Sequence, residues 1–123
     1  MKDYKYFGAW ELECKCGKCD GGEMDEGFMQ SLISLRELLN EPVKVSSAFR
    51  CEAYDKSIGG KGAHSTGKAV DITCSGSKAH RILGLAMELG MTGVGISQRG
   101  AHSARFIHLD TTEGATRPWV WSY

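Results

Sequence analysis

Two short segments that carry histidine or aspartate between branched apolar residues constrain this chain more than any other feature. One lies at the end of a glycine-containing stretch from Gly62 to Ile72, and the other runs from Phe106 to Asp110. Successive side chains of a β-strand point to opposite faces of the sheet. If both segments are strands, their apolar residues enter a core, while Asp71, His108 and Asp110 point away from it.

His64, Asp71 and His108 together offer two imidazoles and one carboxylate. This ligand set holds Zn²⁺ in catalytic sites and leaves a fourth position open to water. Each residue also has an ordinary interpretation, with His64 as a loop histidine, Asp71 as a strand-end cap and His108 as a half-buried strand residue. The spacing alone leaves both interpretations open.

A series of motifs strengthens the metal interpretation, because their order is that of a known family. The motifs are Ser46-Ser47-Ala48-Phe49-Arg50-Cys51, Gly59-Gly60, His64-x-x-Gly67-x-Ala69-x-Asp71-Ile72, Gly93-Val94-Gly95 and Phe106-Ile107-His108-Leu109-Asp110. In them the chain resembles the zinc D-alanyl-D-alanine carboxypeptidases and related phage endolysins, which are peptidoglycan peptidases that share a fold with the Hedgehog signalling domain. The resemblance extends from about Phe7 to the C-terminal aromatic segment. It implies zinc bound by His64, Asp71 and His108.

The pattern of predicted elements favours an α+β fold, a small antiparallel sheet with helices packed on one face. A Hedgehog/DD-peptidase-like fold, which the resemblance implies, agrees with it. One predicted helix begins at Asp25-Glu26 and ends at Asn40-Glu41-Pro42, and a second is capped by Ser77 and ends near Gly90. Predicted strands lie at 43–47, around Asp71, and at 93–96, 106–110 and 119–123, the last at a sheet edge. The 123 residues suit one domain, 1–123.

Candidate catalytic groups follow from the resemblance. Arg50 matches the family's Ser-x-x-Arg segment, and its guanidinium would stabilise the oxyanion of the transition state; its alternative role is a surface salt bridge. Relatives usually place Glu or Asp three residues before the last metal histidine, where this chain has Arg105. Two candidates for the base remain. Asp110 would act as base or orient a ligand, and His102 would reach the metal from an upstream loop; we favour Asp110.

Five cysteines form a second group of interest. Cys14, Cys16 and Cys19 crowd one loop, and Cys51 follows Arg50. The sequence allows a structural Zn²⁺ at these four thiols, a disulfide that fastens the loop to Cys51, or free thiols. The resemblance implies that the loop and Cys51 meet in space. The fifth cysteine, Cys74, is most simply a small buried residue.

Charge and hydropathy exclude several functions. Fifteen basic residues balance fifteen acidic ones, so no net field attracts the chain to nucleic acid or an anionic membrane. The charged N-terminus has no signal-peptide pattern and no segment is long enough to span a membrane. We expect a monomer, made in the cytoplasm, that reaches the cell wall with the help of another component or as part of a phage particle.

Together these observations predict a zinc peptidase that cleaves peptidoglycan stem or cross-bridge peptides next to D-alanine, encoded by a phage or prophage. The principal alternative is a non-catalytic, zinc-containing module that binds cell-wall peptides, because Hedgehog relatives use this fold for binding. A third is an interaction protein in which only the cysteine cluster binds metal.

Overall fold

A computed structural model describes all residues from 1 to 123. The helices are α1 (Ala9–Leu12), α2 (Glu26–Leu39), α3 (Glu52–Ser57) and α4 (Gly76–Glu88), and the strands are β1 (Lys44–Ser47), β2 (Ala69–Thr73), β3 (Gly93–Ser97), β4 (Phe106–Asp110) and β5 (Trp119–Ser122). Two 3₁₀ turns, His64–Thr66 and His102–Ala104, precede β2 and β4. The predicted α+β class is confirmed.

The five strands form one sheet in the order β1-β2-β4-β3-β5. Its first three pairings are antiparallel, as predicted, but β5 runs parallel to β3. The reason lies in the connection after β4. That strand ends at Asp110, which is paired with the first residue of β3, and β5 also starts beside that residue. Residues 111–118 therefore have to cross only the N-terminal end of β3 before β5 begins. From there β5 runs in the same direction as β3.

Helix α2 lies where the sequence predicts the first helix, and its buried apolar residues recur every three or four positions. The Asp25 carboxylate accepts the Phe28 N–H at 2.9 Å, which caps the first turn. Asn40 ends the helix in the left-handed conformation, with φ of 56°, just before Pro42. The buried stripe is Phe28, Leu32, Leu35 and Leu39.

Two local predictions differ from the structure. The N-cap of α4 is Ser75, because the Ala79 N–H already donates to the Ser75 carbonyl, so the predicted cap at Ser77 is wrong and Ser77 lies in the first turn. No helix is predicted between Cys51 and Gly62, but this segment contains α3, whose six residues are too few for an apolar repeat to show.

The core lies between one face of the sheet and helices α2 and α4. Apolar residues of four strands meet the two helices there, as the alternation in the sequence predicts. The opposite face of β2 and β4 carries the polar residues. None of the helices combines the length and the apolar character that a membrane span requires.

Candidate metal centre

One row of paired residues crosses the sheet on the face opposite the core. Ser47 pairs with Asp71, Asp71 with His108, His108 with Gly95, and Gly95 with Trp121. Directly paired residues on neighbouring strands project to the same face. Segments far apart in sequence thus bring a hydroxyl, a carboxylate, an imidazole and an indole into one line.

Two glycines of β3 leave space for the side chains around this row. A Cβ at Gly95 would lie 2.5 Å from the Trp121 Nε1, and one at Gly93 would lie 2.3 Å from the Asp110 carboxylate oxygens. Both distances are far below van der Waals contact. The Gly93-Val94-Gly95 motif therefore serves the polar face, where side chains of β4 and β5 lie against the backbone of β3.

His64 reaches the row from the 3₁₀ turn before β2. Its ring is 5% exposed, and its Nδ1 lies 2.7 Å from the carbonyl oxygen of Ala48. A carbonyl can only accept, so Nδ1 carries the hydrogen and Nε2 keeps its lone pair. That Nε2 lies 3.3 Å from Asp71 Oδ1.

His108 faces the same carboxylate oxygen from β4. Its Nδ1 lies 3.1 Å from Asp71 Oδ1, and its Nε2 lies 2.7 Å from Asp110 Oδ2. When Nε2–H donates to Asp110, the Nδ1 lone pair points to Asp71. One ligand atom each from His64, Asp71 and His108 then lies within 4.8 Å of the other two.

This donor set fits a zinc ion. Two imidazole nitrogens with free lone pairs and one carboxylate oxygen converge, and each imidazole donates its other N–H to a carbonyl or carboxylate. Such outer partners fix the tautomer of metal-binding histidines and strengthen them as ligands. The structure thus brings together all three predicted metal ligands.

Asp110 orients His108, and both oxygens of its carboxylate also accept hydrogen bonds from other residues. It is fully buried, and Arg117 binds it through Nε (2.9 Å to Oδ1) and Nη2 (2.7 Å to Oδ2). The backbone N–H and the hydroxyl of Thr112 also donate to Oδ1. Arg117 in turn lies over the Trp121 ring, 5.0 Å from its centroid. Of the two roles predicted for Asp110, the geometry supports the orientation of His108.

Arg50 supports Asp71 in a similar way. Its Nη2 donates to Asp71 Oδ2 at 3.1 Å, its Nη1 to Asp55 Oδ1 at 3.0 Å and its Nε to the Ser47 hydroxyl at 3.0 Å. Arg50 thus forms salt bridges with Asp55 and Asp71, but its side chain is only 14% exposed, so these bridges do not lie at the surface. A guanidinium has five N–H donors, and two of them are left for other acceptors.

Two side chains that complete the site were not predicted, Asp55 and Arg117. Asp55 is buried and also accepts the Gly62 N–H at 2.9 Å. A Cβ at Gly60 would lie 2.0 Å from its carboxylate, which explains the Gly59-Gly60 motif and was the available signal for a buried group beside it. Arg117 lies in an irregular loop, where the sequence has no periodicity that distinguishes a buried arginine from an exposed one.

The pKa values reflect these contacts. Burial alone would raise the pKa of Asp71, but the adjacent imidazoles of His108 and His64, which donate to its carboxylate when they are protonated, hold the pKa well below the usual range. Burial likewise opposes the charged form of Asp110, yet His108 and Arg117 lower its pKa. For His108 burial would lower the pKa, and the hydrogen bonds to Asp110 and Asp71 raise it. These directions mean that both carboxyl groups are ionised and that the site favours a positive charge between them.

The three candidate ligands open into a cavity of about 420 Å³. Such a volume suits a short peptide segment. Besides the ligands and Arg50, the lining includes an aromatic wall and two basic residues, namely Phe106, Trp121, Tyr123, Lys61 and Arg117. His102 does not line this cavity. It is exposed, and its Nδ1 lies 3.1 Å from the hydroxyl of Ser75 at the start of α4.

The cysteines form a separate cluster. The Sγ atoms of Cys14, Cys16, Cys19 and Cys51 all lie within 4.8 Å of one another, and none is in a disulfide, so the group could hold a metal ion. The backbone N–H of Lys18 and the neighbouring Cys19 lower the pKa of Cys16 to about 6. The N–H of Gly21 favours the thiolate of Cys19, but Cys16 and burial raise its pKa to about 12.

Comparisons with known proteins agree with the geometry of the first site. A family model described as Peptidase M15 matches residues 5–110, which include all three candidate ligands and Arg50. A search among curated proteins finds no match. The matched range ends at Asp110, so Arg117 and the whole of β5 lie beyond it.

Proposed function

The chain belongs to the peptidase M15 family of zinc metallopeptidases, and from this premise we propose that it hydrolyses peptide bonds of peptidoglycan stem peptides next to D-alanine. The observation that carries the proposal is the convergence of His64, Asp71 and His108 in a cavity wide enough for a peptide. The resemblance to phage endolysins supports a phage or prophage origin. We further propose that the protein is a monomer, and that it acts on the cell wall with the help of another component or as part of a phage particle.

The ligand set determines what the bound metal contributes. Zn²⁺ held by two imidazoles and a carboxylate supplies a Lewis acid that polarises a carbonyl and lowers the pKa of water. His64, Asp71 and His108 would hold the ion, and Asp110 keeps His108 in the tautomer that presents Nδ1. Arg50 keeps Asp71 Oδ2 occupied, so that Oδ1 faces the two imidazoles.

The cavity also contains groups that suit the substrate. The two N–H donors of Arg50 that have no partner in the site can stabilise charge on a scissile carbonyl. Lys61 lines the cavity and forms no ion pair, so its ammonium suits a carboxylate of the stem peptide. The aromatic wall offers an apolar surface to the methyl group of D-alanine.

A second candidate function is a zinc-containing module that binds wall peptides without cleaving them. It is favoured by one observation. Asp71 is the only carboxylate that lines the cavity, and Arg50 and both histidines already engage it. No further acid is thus positioned there as proton acceptor.

The two functions are separated by incubation of the zinc-loaded protein with pentapeptide and cross-linked muropeptides, with products identified by mass spectrometry. We expect released D-alanine or split cross-links, and loss of turnover to background in His108→Ala. His80→Ala is the matched control, because His80 is an exposed histidine of α4 outside the cavity. Binding of muropeptides without any product would establish the module instead.

A further inference from the structure

Three thiols of the loop between α1 and α2 and the thiol of Cys51 lie at spacings that suit a tetrahedral metal site. Zn–S bonds of about 2.3 Å in a tetrahedron place the sulfurs about 3.8 Å apart. In this structure Cys16 Sγ and Cys51 Sγ are 4.0 Å apart, and no pair among the four exceeds 4.8 Å. A disulfide needs about 2.05 Å and would use only two of the sulfurs.

Backbone amides surround the cluster as they would surround thiolates. The N–H groups of Lys18, Gly21 and Cys51 point to the Sγ atoms of Cys16, Cys19 and Cys14 at 3.2, 3.4 and 3.3 Å. Hydrogen bonds to ligand atoms hold them in the geometry that a metal requires. Three of the four sulfurs thus each accept a hydrogen bond from a backbone N–H.

The loop has little else to hold it. Between α1 and α2 the chain has no regular secondary structure, and five of its residues next to the sulfurs are exposed, namely Lys15, Gly17, Lys18, Cys19 and Asp20. Three positive-φ glycines, Gly17, Gly21 and Gly22, give the loop an irregular path. Small loops of this kind are commonly stabilised by a metal because they bury too little apolar surface to stay ordered alone.

We propose that Cys14, Cys16, Cys19 and Cys51 bind one structural Zn²⁺, and that this ion fixes the segment that positions Arg50 against Asp71. The segment 48–51 connects the two centres. Ala48 accepts from His64 Nδ1, the Arg50 backbone N–H donates to the His64 carbonyl, and Cys51 follows directly. The Arg50 guanidinium then bonds to Asp71.

A further contact ties the loop to the same segment. The Phe49 N–H donates to the Leu12 carbonyl at 3.0 Å, and a Cβ at Gly22 would lie 2.2 Å from the Phe49 ring. The loop therefore lies directly on the backbone that carries Arg50. Loss of the ion would release Cys51 and allow Arg50 to move away from Asp71.

The test uses the full chain, reduced and stripped of metal, with Co²⁺ as a spectroscopic probe and Zn²⁺ for stoichiometry. We expect two zinc ions per wild-type chain and one in Cys19→Ser, with a clear loss of intensity in the thiolate-to-cobalt charge-transfer bands of that variant. Cys19 is exposed, so its replacement leaves the core intact. Cys74→Ala is the matched control, because the sulfur of Cys74 lies outside the cluster and contacts the Ile72 carbonyl. Cys19→His should restore the second ion.

Several outcomes would overturn the structural site. They are one zinc per wild-type chain with no change in Cys19→Ser, charge-transfer bands that keep their full intensity in that variant, or a disulfide among the four cysteines in protein purified under reducing conditions. The measurement counts ions, so its result does not depend on whether the protein cleaves peptides.

The second half of the proposal, that the ion at the cysteines positions Arg50 against Asp71, is tested by a separate measurement. In Cys19→Ser we expect Co²⁺ affinity at the His64, Asp71 and His108 site to fall about 10- to 100-fold, the range found when partners behind metal ligands are lost. Arg50→Lys should lower this Co²⁺ affinity by a similar factor. In the double variant the affinity should fall by less than the product of the two single factors. Equal affinity in wild type and Cys19→Ser would show that the two centres are independent.

Discussion

At the residue scale, the site depends on carboxylates that are held in place by arginines. Asp71 faces two imidazoles with one oxygen and Arg50 with the other, and Asp110 is held between His108 and Arg117. Buried carboxylates are tolerated when every lone pair is satisfied, and here nearly all have partners. The arginines therefore act as counter-charges that let two acids lie beside the metal ligands.

Asp110→Asn tests the role of Asp110 behind His108. The amide can still lie against His108, but it loses the charge that stabilises the Nε2–H tautomer and the pairing with Arg117. We expect zinc affinity and turnover to fall about 10- to 100-fold. Zinc titration against a competing chelator, together with the muropeptide assay, measures both.

His102→Ala is the matched comparison, because His102 was the alternative candidate for catalysis. Its only side-chain hydrogen bond is to Ser75, and it is exposed outside the cavity. We expect its loss to change turnover by less than 2-fold. A larger loss in His102→Ala than in Asp110→Asn would reverse the assignment of both residues.

At the element scale, strand β3 makes the site possible by having no side chains where its neighbours need space. Gly93 accommodates the Asp110 carboxylate and Gly95 the Trp121 indole. The edge strand β5, which runs parallel to β3, supplies Trp121 to the row. The arrangement of the polar face is therefore a property of three strands together.

Gly93→Ala should disrupt this arrangement. The new methyl would collide with Asp110 at 2.3 Å, and Asp110 is fixed by Arg117, so either the strand or the pair must shift. We expect a loss of about 1–3 kcal/mol in the free energy of unfolding, as for other overpacked sites, together with weaker zinc binding. Urea denaturation measures the first effect.

Gly84→Ala provides the control for Gly93→Ala. Gly84 lies inside α4, and a Cβ there would meet no atom within 4 Å. Because alanine has the higher helix propensity, this variant should gain up to about 1 kcal/mol. Equal stability of Gly93→Ala and Gly84→Ala would contradict the conclusion that β3 needs a glycine beside Asp110.

Sequence patterns predicted the elements better than the contacts between them. The alternation in β2 and β4 correctly placed Asp71 and His108 on the face opposite the core, and the apolar repeat located α2. The parallel edge strand was missed, because pairing direction depends on where a loop returns. The role of Arg117 was missed for a similar reason: its partner Asp110 is near in sequence, but their pairing depends on the path of residues 111–117.

At the scale of the whole molecule, the family match covers most of the chain and ends at the last residue of β4. Residues 5–110 supply the three candidate ligands, Arg50 and the cysteines, whereas the residues beyond supply Arg117 and the aromatic wall formed by Trp121 and Tyr123. All candidate metal ligands thus lie in the part of the chain that the family model matches. Arg117, which holds Asp110 behind His108, and two aromatic residues of the cavity wall thus come from the segment that follows β4.

Removal of zinc should measure how far the His64, Asp71 and His108 site stabilises the whole fold. A ligand that binds only the native state adds about 2.7 kcal/mol at a free concentration of 100 times its Kd. For a chain of this length that corresponds to about 10 °C in Tm. We expect the fall in Tm on chelation to be smaller by about this amount in His108→Ala than in wild type, because the variant keeps only the ion at the cysteines. His80→Ala should behave as wild type. An equal fall in wild type and His108→Ala, measured by calorimetry, would mean that zinc at this site contributes nothing to the stability of the fold.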